Sequence, residues 1–133
     1  MSKVNIMDAS AILAYLQLEK GQERVEAAFD ECPCLMTSVN LCEVMGKLCE
    51  KGMPPPEIQA TIYDLGLIIV NFDAALAAQT AFLRVKTKSI GASLGDRACL
   101  ALAELSTDST PVVYTAEQAW TKLKWPFKIA VIR

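Results

Sequence analysis

Short apolar runs recur along the chain, each separated from the next by segments of helical pattern. They cover residues 4–7, 35–37, 67–70, 111–114 and 129–132. Runs this short and this uniformly apolar read as strands buried on both faces, the signature of a parallel sheet with helices packed on either side. Parallel neighbours need long crossovers, and the intervening segments supply them. Helices are expected over 9–18, 23–29, 39–51, 56–65 and 74–86, and in the stretch that starts at Asp96 and is apolar from Ala98 to Ala103. Ser38 and Asp73 are the expected caps of two of them, Gly52 and Gly66 their stop signals, and Thr115 with Gln118 fits a capping box. The order is β-α-α-β-α-α-β-α-α-β-α-β. A chain of 133 residues suggests one domain, 1–133, with a sizeable core.

Composition narrows the function. Hydrophobic residues make up 53% of the chain, so most elements should be covered on more than one side. The net charge of −2, from 13 basic and 15 acidic residues, leaves no broad basic footprint of the kind that marks a non-specific nucleic-acid binder. An enzyme that touches a few phosphates locally remains compatible with it. No apolar run reaches membrane-span length and the N-terminus does not read as a signal peptide, so a cytoplasmic protein without a membrane partner is expected. The five cysteines form no CxxC pair and the chain has no histidine, which argues against zinc at the usual spacings and against Ser–His and Cys–His nucleophiles. Cys42, Cys49 and Cys99 read as small buried hydrophobes. Cys32 and Cys34, in a connection, are poorly placed for a disulfide.

Against this apolar background three acids stand out. Asp8 is the only charge in 4–16, Glu43 the only charge in 35–45, and Asp96 opens the apolar helix. A cap explains a lone acid at a helix start, and either Asp8 or Ser10 serves for the first helix, with Ser10 preferred. Val39, Cys42, Glu43, Gly46 and Cys49 fall on one helical stripe, which places Glu43 inward. Three carboxylates in three apolar segments are costly to bury without a partner, and a shared cation is the simplest common one. Asp8 and Glu117 follow strand ends, where the ligand crevice of an open α/β sheet lies. Arg84, Lys86 and Lys88 cluster at a helix C-terminus. The helix dipole alone accounts for them, with phosphate contact as the alternative.

Four motifs, in this order, resemble those of PIN-domain ribonucleases, and most closely the VapC-type toxins of toxin–antitoxin pairs. They are Met7-Asp8-Ala9-Ser10-Ala11-Ile12-Leu13-Ala14-Tyr15-Leu16, Ser38-Val39-Asn40-Leu41-Cys42-Glu43-Val44, Leu94-Gly95-Asp96-Arg97-Ala98-Cys99-Leu100-Ala101-Leu102-Ala103 and Tyr114-Thr115-Ala116-Glu117-Gln118-Ala119-Trp120. The resemblance spans nearly the whole chain. It implies an α/β, PIN-like fold with a short, mostly parallel sheet of four to five strands and helices on both faces. It implies a metal-dependent endoribonuclease in which Asp8, Glu43 and Asp96 are catalytic and hold Mg²⁺ or Mn²⁺. Glu117 occupies the fourth metal position, where the family usually has Asp. A homodimer, an RNA substrate and a cognate antitoxin are implied with it. A catalytically silent PIN-fold module that binds RNA or protein is the alternative. A flavodoxin-like phosphotransfer domain ranks last, because only Asp8 follows the first strand.

Overall fold

The computed structural model describes residues 2–133; Met1, the first residue of the expected domain, lies outside the described residues. The strands are β1 (Val4–Met7), β2 (Cys34–Thr37), β3 (Ile68–Val70), β4 (Pro111–Thr115) and β5 (Lys128–Val131). The helices are α1 (Ala9–Leu16), α2 (Gln22–Glu31), α3 (Ser38–Glu50), α4 (Pro55–Leu65), α5 (Ala74–Lys86) and α6 (Leu94–Leu105). A 3₁₀ turn over Gln118–Lys122 stands where the last helix was expected. The strands form one sheet in the order β3-β2-β1-β4-β5, and every neighbouring pair is parallel. The chain lays down β1, β2 and β3 in one direction. It then crosses back through α5 and α6 to place β4 on the other side of β1. The boundary between β1 and β4 is therefore the topological switch point, where α/β sheets open a crevice at their carboxyl edge.

Side chains alternate across the sheet, and β1 divides the core accordingly. Ile6 packs with Leu76, Leu83, Leu100, Val113 and Trp120, the layer built by α5 and α6. Met7 packs with Ile12, Val25, Met36, Val44 and Ile58, the layer built by α1 to α4. α6 is apolar nearly all round because α5 covers the side that the sheet does not, and every residue from Arg97 to Ala103 is buried.

Several local expectations are corrected. α1 ends at Leu16, and Leu18 is exposed in a left-handed turn (φ 56°). Thr37, not Ser38, caps α3: its Oγ1 accepts from Asn40 N at 3.0 Å, so the last strand residue doubles as the cap. Ser38 Oγ instead accepts from Phe72 N, tying α3 to the chain beyond β3. Asp73 does cap α5. Phe82 is exposed, and the inward stripe of α5 is Leu76, Thr80 and Leu83. Cys42 and Cys49 are exposed as well, whereas Cys99 is buried. The buried stripe of α3 is Asn40, Val44 and Leu48, one step round from the expected one. Thr115 makes no capping box with Gln118; it is the buried last residue of β4 and serves Asp8 instead. No helix among the described residues is long and apolar enough to cross a membrane.

Candidate functional site

Asp8 follows β1 directly and caps α1, its Oδ1 accepting from Ala11 N at 2.8 Å. Ser10, the expected cap, serves the carboxylate instead. Its Oγ lies 2.8 and 2.9 Å from the two oxygens of Asp8 and accepts from Ala116 N at 2.9 Å. Thr115, at the end of β4, donates from Oγ1 to Asp8 Oδ2 at 2.7 Å. The switch point thus brings β1 and β4 together around one carboxylate. Asp8 is 2% exposed, and burial is the main reason its pKa is pushed up from 3.8 to about 6. The hydrogen bonds from Thr115, Ala11 and Ser10 pull the other way, and the charge of Asp96 adds to the rise.

Glu43 is exposed, not inward, a correction to the stripe reading. It lies at the rim of the sheet, where α3 meets the start of α6. Asn40, one turn earlier on α3, donates from Nδ2 to Glu43 Oε1 and to Gly95 O, both at 3.0 Å. The carboxylate lies against Gly95, where an added Cβ would stand 2.5 Å from Glu43 Oε2 and Cδ. Only glycine admits it in this position. Asp96 is half-buried in the first turn of α6. It forms a capping box with Ser93: Asp96 N donates to Ser93 Oγ and Ser93 N to Asp96 Oδ2. Among the described residues Glu43 Oε2 and Asp96 Oδ1 carry no hydrogen bond.

The thiol of Cys99, one turn into α6, is fully buried. Burial pushes its pKa well up, and the charges of Asp8, Asp96 and Glu43 all raise it further. Asn40 ties Glu43 to Gly95, the residue before Asp96, and the charge of Asp96 is felt at Asp8. Among the described residues none of the three acids has a basic partner within salt-bridge distance. Asp96 leans on its own cap and Glu43 on Asn40, and no three such side chains close into a ready ligand set among the described residues. Glu117 stands apart. It is exposed beyond β4, its backbone N–H donates to Thr115 Oγ1, and its carboxylate caps nothing.

Sequence reasoning gave Ser10 and Thr115 capping duties and passed over Asn40 and Gly95. The available signals were local. Ser10 lies two residues past Asp8, Asn40 three before Glu43, and Gly95 immediately before Asp96.

A five-stranded parallel sheet in this order, with acids at its switch point, defines an α/β protein of PIN-like fold. Solved structures with the same fold belong to toxin–antitoxin systems. A chain of VapBC2 from Rickettsia felis, bound to a DNA fragment from the promoter, superposes with a TM-score of 0.70 at 13% identity, over 96% of this chain and 97% of that one. A chain of DNA-bound VapBC from Salmonella typhimurium gives 0.68 at 18% identity, with 98% of both chains covered. A chain of a toxin–antitoxin complex from Klebsiella pneumoniae gives 0.67 at 18%, over 94% of this chain and 99% of that one. No family model and no curated protein matches the sequence. At these identities the likeness establishes the fold.

Proposed function

We propose that the protein is a metal-dependent endoribonuclease that hydrolyses RNA phosphodiester bonds and acts as the toxin of a toxin–antitoxin pair. The observation that supports this reading is Asp8, buried at the switch point of the sheet with no basic partner among the described residues, while Glu43 and Asp96 lie where α3 meets the start of α6. Carboxylate oxygens are the donors that Mg²⁺ and Mn²⁺ prefer, and a buried carboxylate with no basic partner is relieved by a cation, so the donor chemistry suits the ion, although the three acids do not close into a ready ligand set among the described residues. Asp8, Glu43 and Asp96 would hold it, the last two through the oxygens that no hydrogen bond uses. Glu117, longer by one methylene than the usual Asp, would support a second ion from the rim. When bound, the ion supplies Lewis-acid stabilisation of the charge that develops on the phosphate. Ser10 and Thr115 keep Asp8 oriented and Asn40 holds Glu43, whose free oxygen would orient an attacking water. With no histidine in the chain, proton transfer falls to carboxylates and water.

The same reading supplies partners. An open apolar groove of about 470 Å³ lies between α3 and α4, lined by Leu41, Cys42, Met45, Cys49 and Ile58. Its apolar lining and the toxin–antitoxin neighbours support an antitoxin segment as its occupant, and the family resemblance supports a homodimer. The silent binding module is favoured by one observation, the engagement of Asp96 in its own capping box. RNA cleavage assays decide between them. Cleavage that requires Mg²⁺ or Mn²⁺, stops in EDTA and is lost in folded Asp8→Asn supports the nuclease. Stable RNA binding without turnover supports the module.

A further inference from the structure

A second cavity lies between the end of α5 and the start of α6. It holds about 380 Å³ and is lined by Arg84, Thr87, Lys88, Gly91, Ala92 and Arg97. Arg84 and Lys88 are exposed at the C-terminal end of α5, where the helix dipole alone accounts for cations. Arg97 has no such explanation. It sits in the first turns of α6, the positive end of that helix, and only 9% of it is exposed. A guanidinium offers five donors, yet its one hydrogen bond among the described residues is a long one, from Nη1 to Thr80 O at 3.4 Å. None of the described residues forms a salt bridge with Arg84, Lys88 or Arg97. Three cations thus face one cavity, on a chain of net charge −2, and the most buried of them lacks an anion.

We infer that this cavity is a phosphate-binding subsite for the backbone of a single RNA strand, receiving a phosphate next to the one that is cut. The inference rests on RNA being the substrate. Asp96 and Arg97 are consecutive, so their side chains leave α6 about 100° apart. One turn of helix presents its carboxylate to the acid site and its guanidinium to the cavity. A strand crossing that turn meets the acids with one phosphate and the cations with another. Arginine suits the role because its fork takes a phosphate through two donors.

The test uses Asp8→Asn protein in EDTA, so that no cleavage intervenes, and a fluorescently labelled single-stranded RNA oligonucleotide read by anisotropy over a range of salt. Arg84→Gln/Lys88→Gln changes only exposed side chains. It is expected to weaken binding about tenfold and to make the logarithmic salt dependence shallower by about 1.4, or about 0.7 per lost contact. Arg97→Gln, once circular dichroism shows it folded, should weaken binding further, with Arg97→Lys between. AMP and inorganic phosphate serve as competitors. Displacement of the RNA by AMP or phosphate only from protein with the three cations intact supports the subsite, and AMP binding that depends on them while RNA binding does not overturns it. Absence of RNA binding, or an unchanged affinity and salt slope in the double variant, overturns it also. Wild-type cleavage in Mg²⁺ is measured alongside. Cation-dependent binding without any cleavage leaves the cavity as an RNA-phosphate site and removes both the nuclease reading and the site's place beside a cut phosphate. Cleavage lost in Asp8→Asn, with binding indifferent to the three cations, does the reverse.

Discussion

Asp8→Asn should make the metal-free protein more stable at neutral pH. In the fold the Asp8 carboxyl keeps its proton up to a pH of about 6, whereas its ordinary value is 3.8. A carboxyl whose folded value is raised contributes stability that is fully present below pH 4 and is lost as the pH rises through 6. At about 1.4 kcal/mol per pH unit, the gap between 3.8 and about 6 comes to about 3 kcal/mol. Wild type forfeits that amount at pH 7.5 and the variant does not. Asn caps a helix as well as Asp does, so α1 keeps its N-terminus. Urea unfolding of both proteins in EDTA, at pH 4.5 and pH 7.5, reads the effect. Contributions common to the two proteins cancel in the difference. The variant's advantage should grow by about 2 kcal/mol between the two pH values, since about 1 kcal/mol is already lost at pH 4.5. Mg²⁺ should then narrow it, because an ion at ten times its Kd stabilises wild type by about 1.4 kcal/mol and finds no charged Asp8 in the variant. A stability difference that is the same at both pH values would refute the argument from burial. Equal stabilisation of both proteins by Mg²⁺ would refute Asp8 as a ligand.

Gly95→Ala places a methyl group where the Glu43 carboxylate lies. Glu43 can swing away and alanine is the better helix former, so unfolding free energy should stay within about 1 kcal/mol of wild type. Metal-dependent RNA cleavage should fall about 100-fold, and wild-type cleavage would contradict the Glu43 placement. Thr115→Val removes the donor to Asp8 Oδ2. The Asp8 pKa, followed by NMR titration without metal, should rise above its wild-type value, and stability at pH 7.5 should drop by about 1.5 to 3 kcal/mol; an unmoved pKa would count against the bond. Glu117→Gln, changing an exposed carboxylate that caps nothing, should lower cleavage less than about tenfold, against about 100-fold or more for Glu43→Gln or Asp96→Asn. Equal losses in all three would place Glu117 among the principal ligands.

The architecture was legible because parallel strands buried on both faces leave short, uniformly apolar runs such as Val4–Met7, and because Asp73 and Gly66 mark helix ends by local chemistry. What escaped was settled by contacts remote in sequence. Thr37 and Ser38 can each cap a helix, and the choice depends on how far β2 runs and on Phe72, which needs Ser38 as its acceptor. Cys42, Gly46 and Cys49 are small and apolar enough to pass for a core face, yet they border an open groove. Glu43 was identified as unusual, but its direction was wrong, because the stripe that turns inward is led by the polar Asn40. That asparagine is buried to bridge Glu43 and Gly95, a demand that periodicity does not register. Phe82 shows the converse: an aromatic at a plausible core phase left exposed because Thr80 fills the inner position, its hydroxyl satisfied by Leu76 O.

The contact between Asp8 and Thr115 joins positions 107 residues apart, which orders events during synthesis. A nascent chain that has made only β1 to β3 has Asp8, Glu43 and the sheet's first three strands. It has neither α6, with Asp96, nor the threonine hydroxyl that orients the first carboxylate. The site is assembled only when β4 leaves the ribosome and slides in beside β1, after most of the polypeptide has been made. A partial product, or one released early, carries the first two acids without the arrangement that makes them act together.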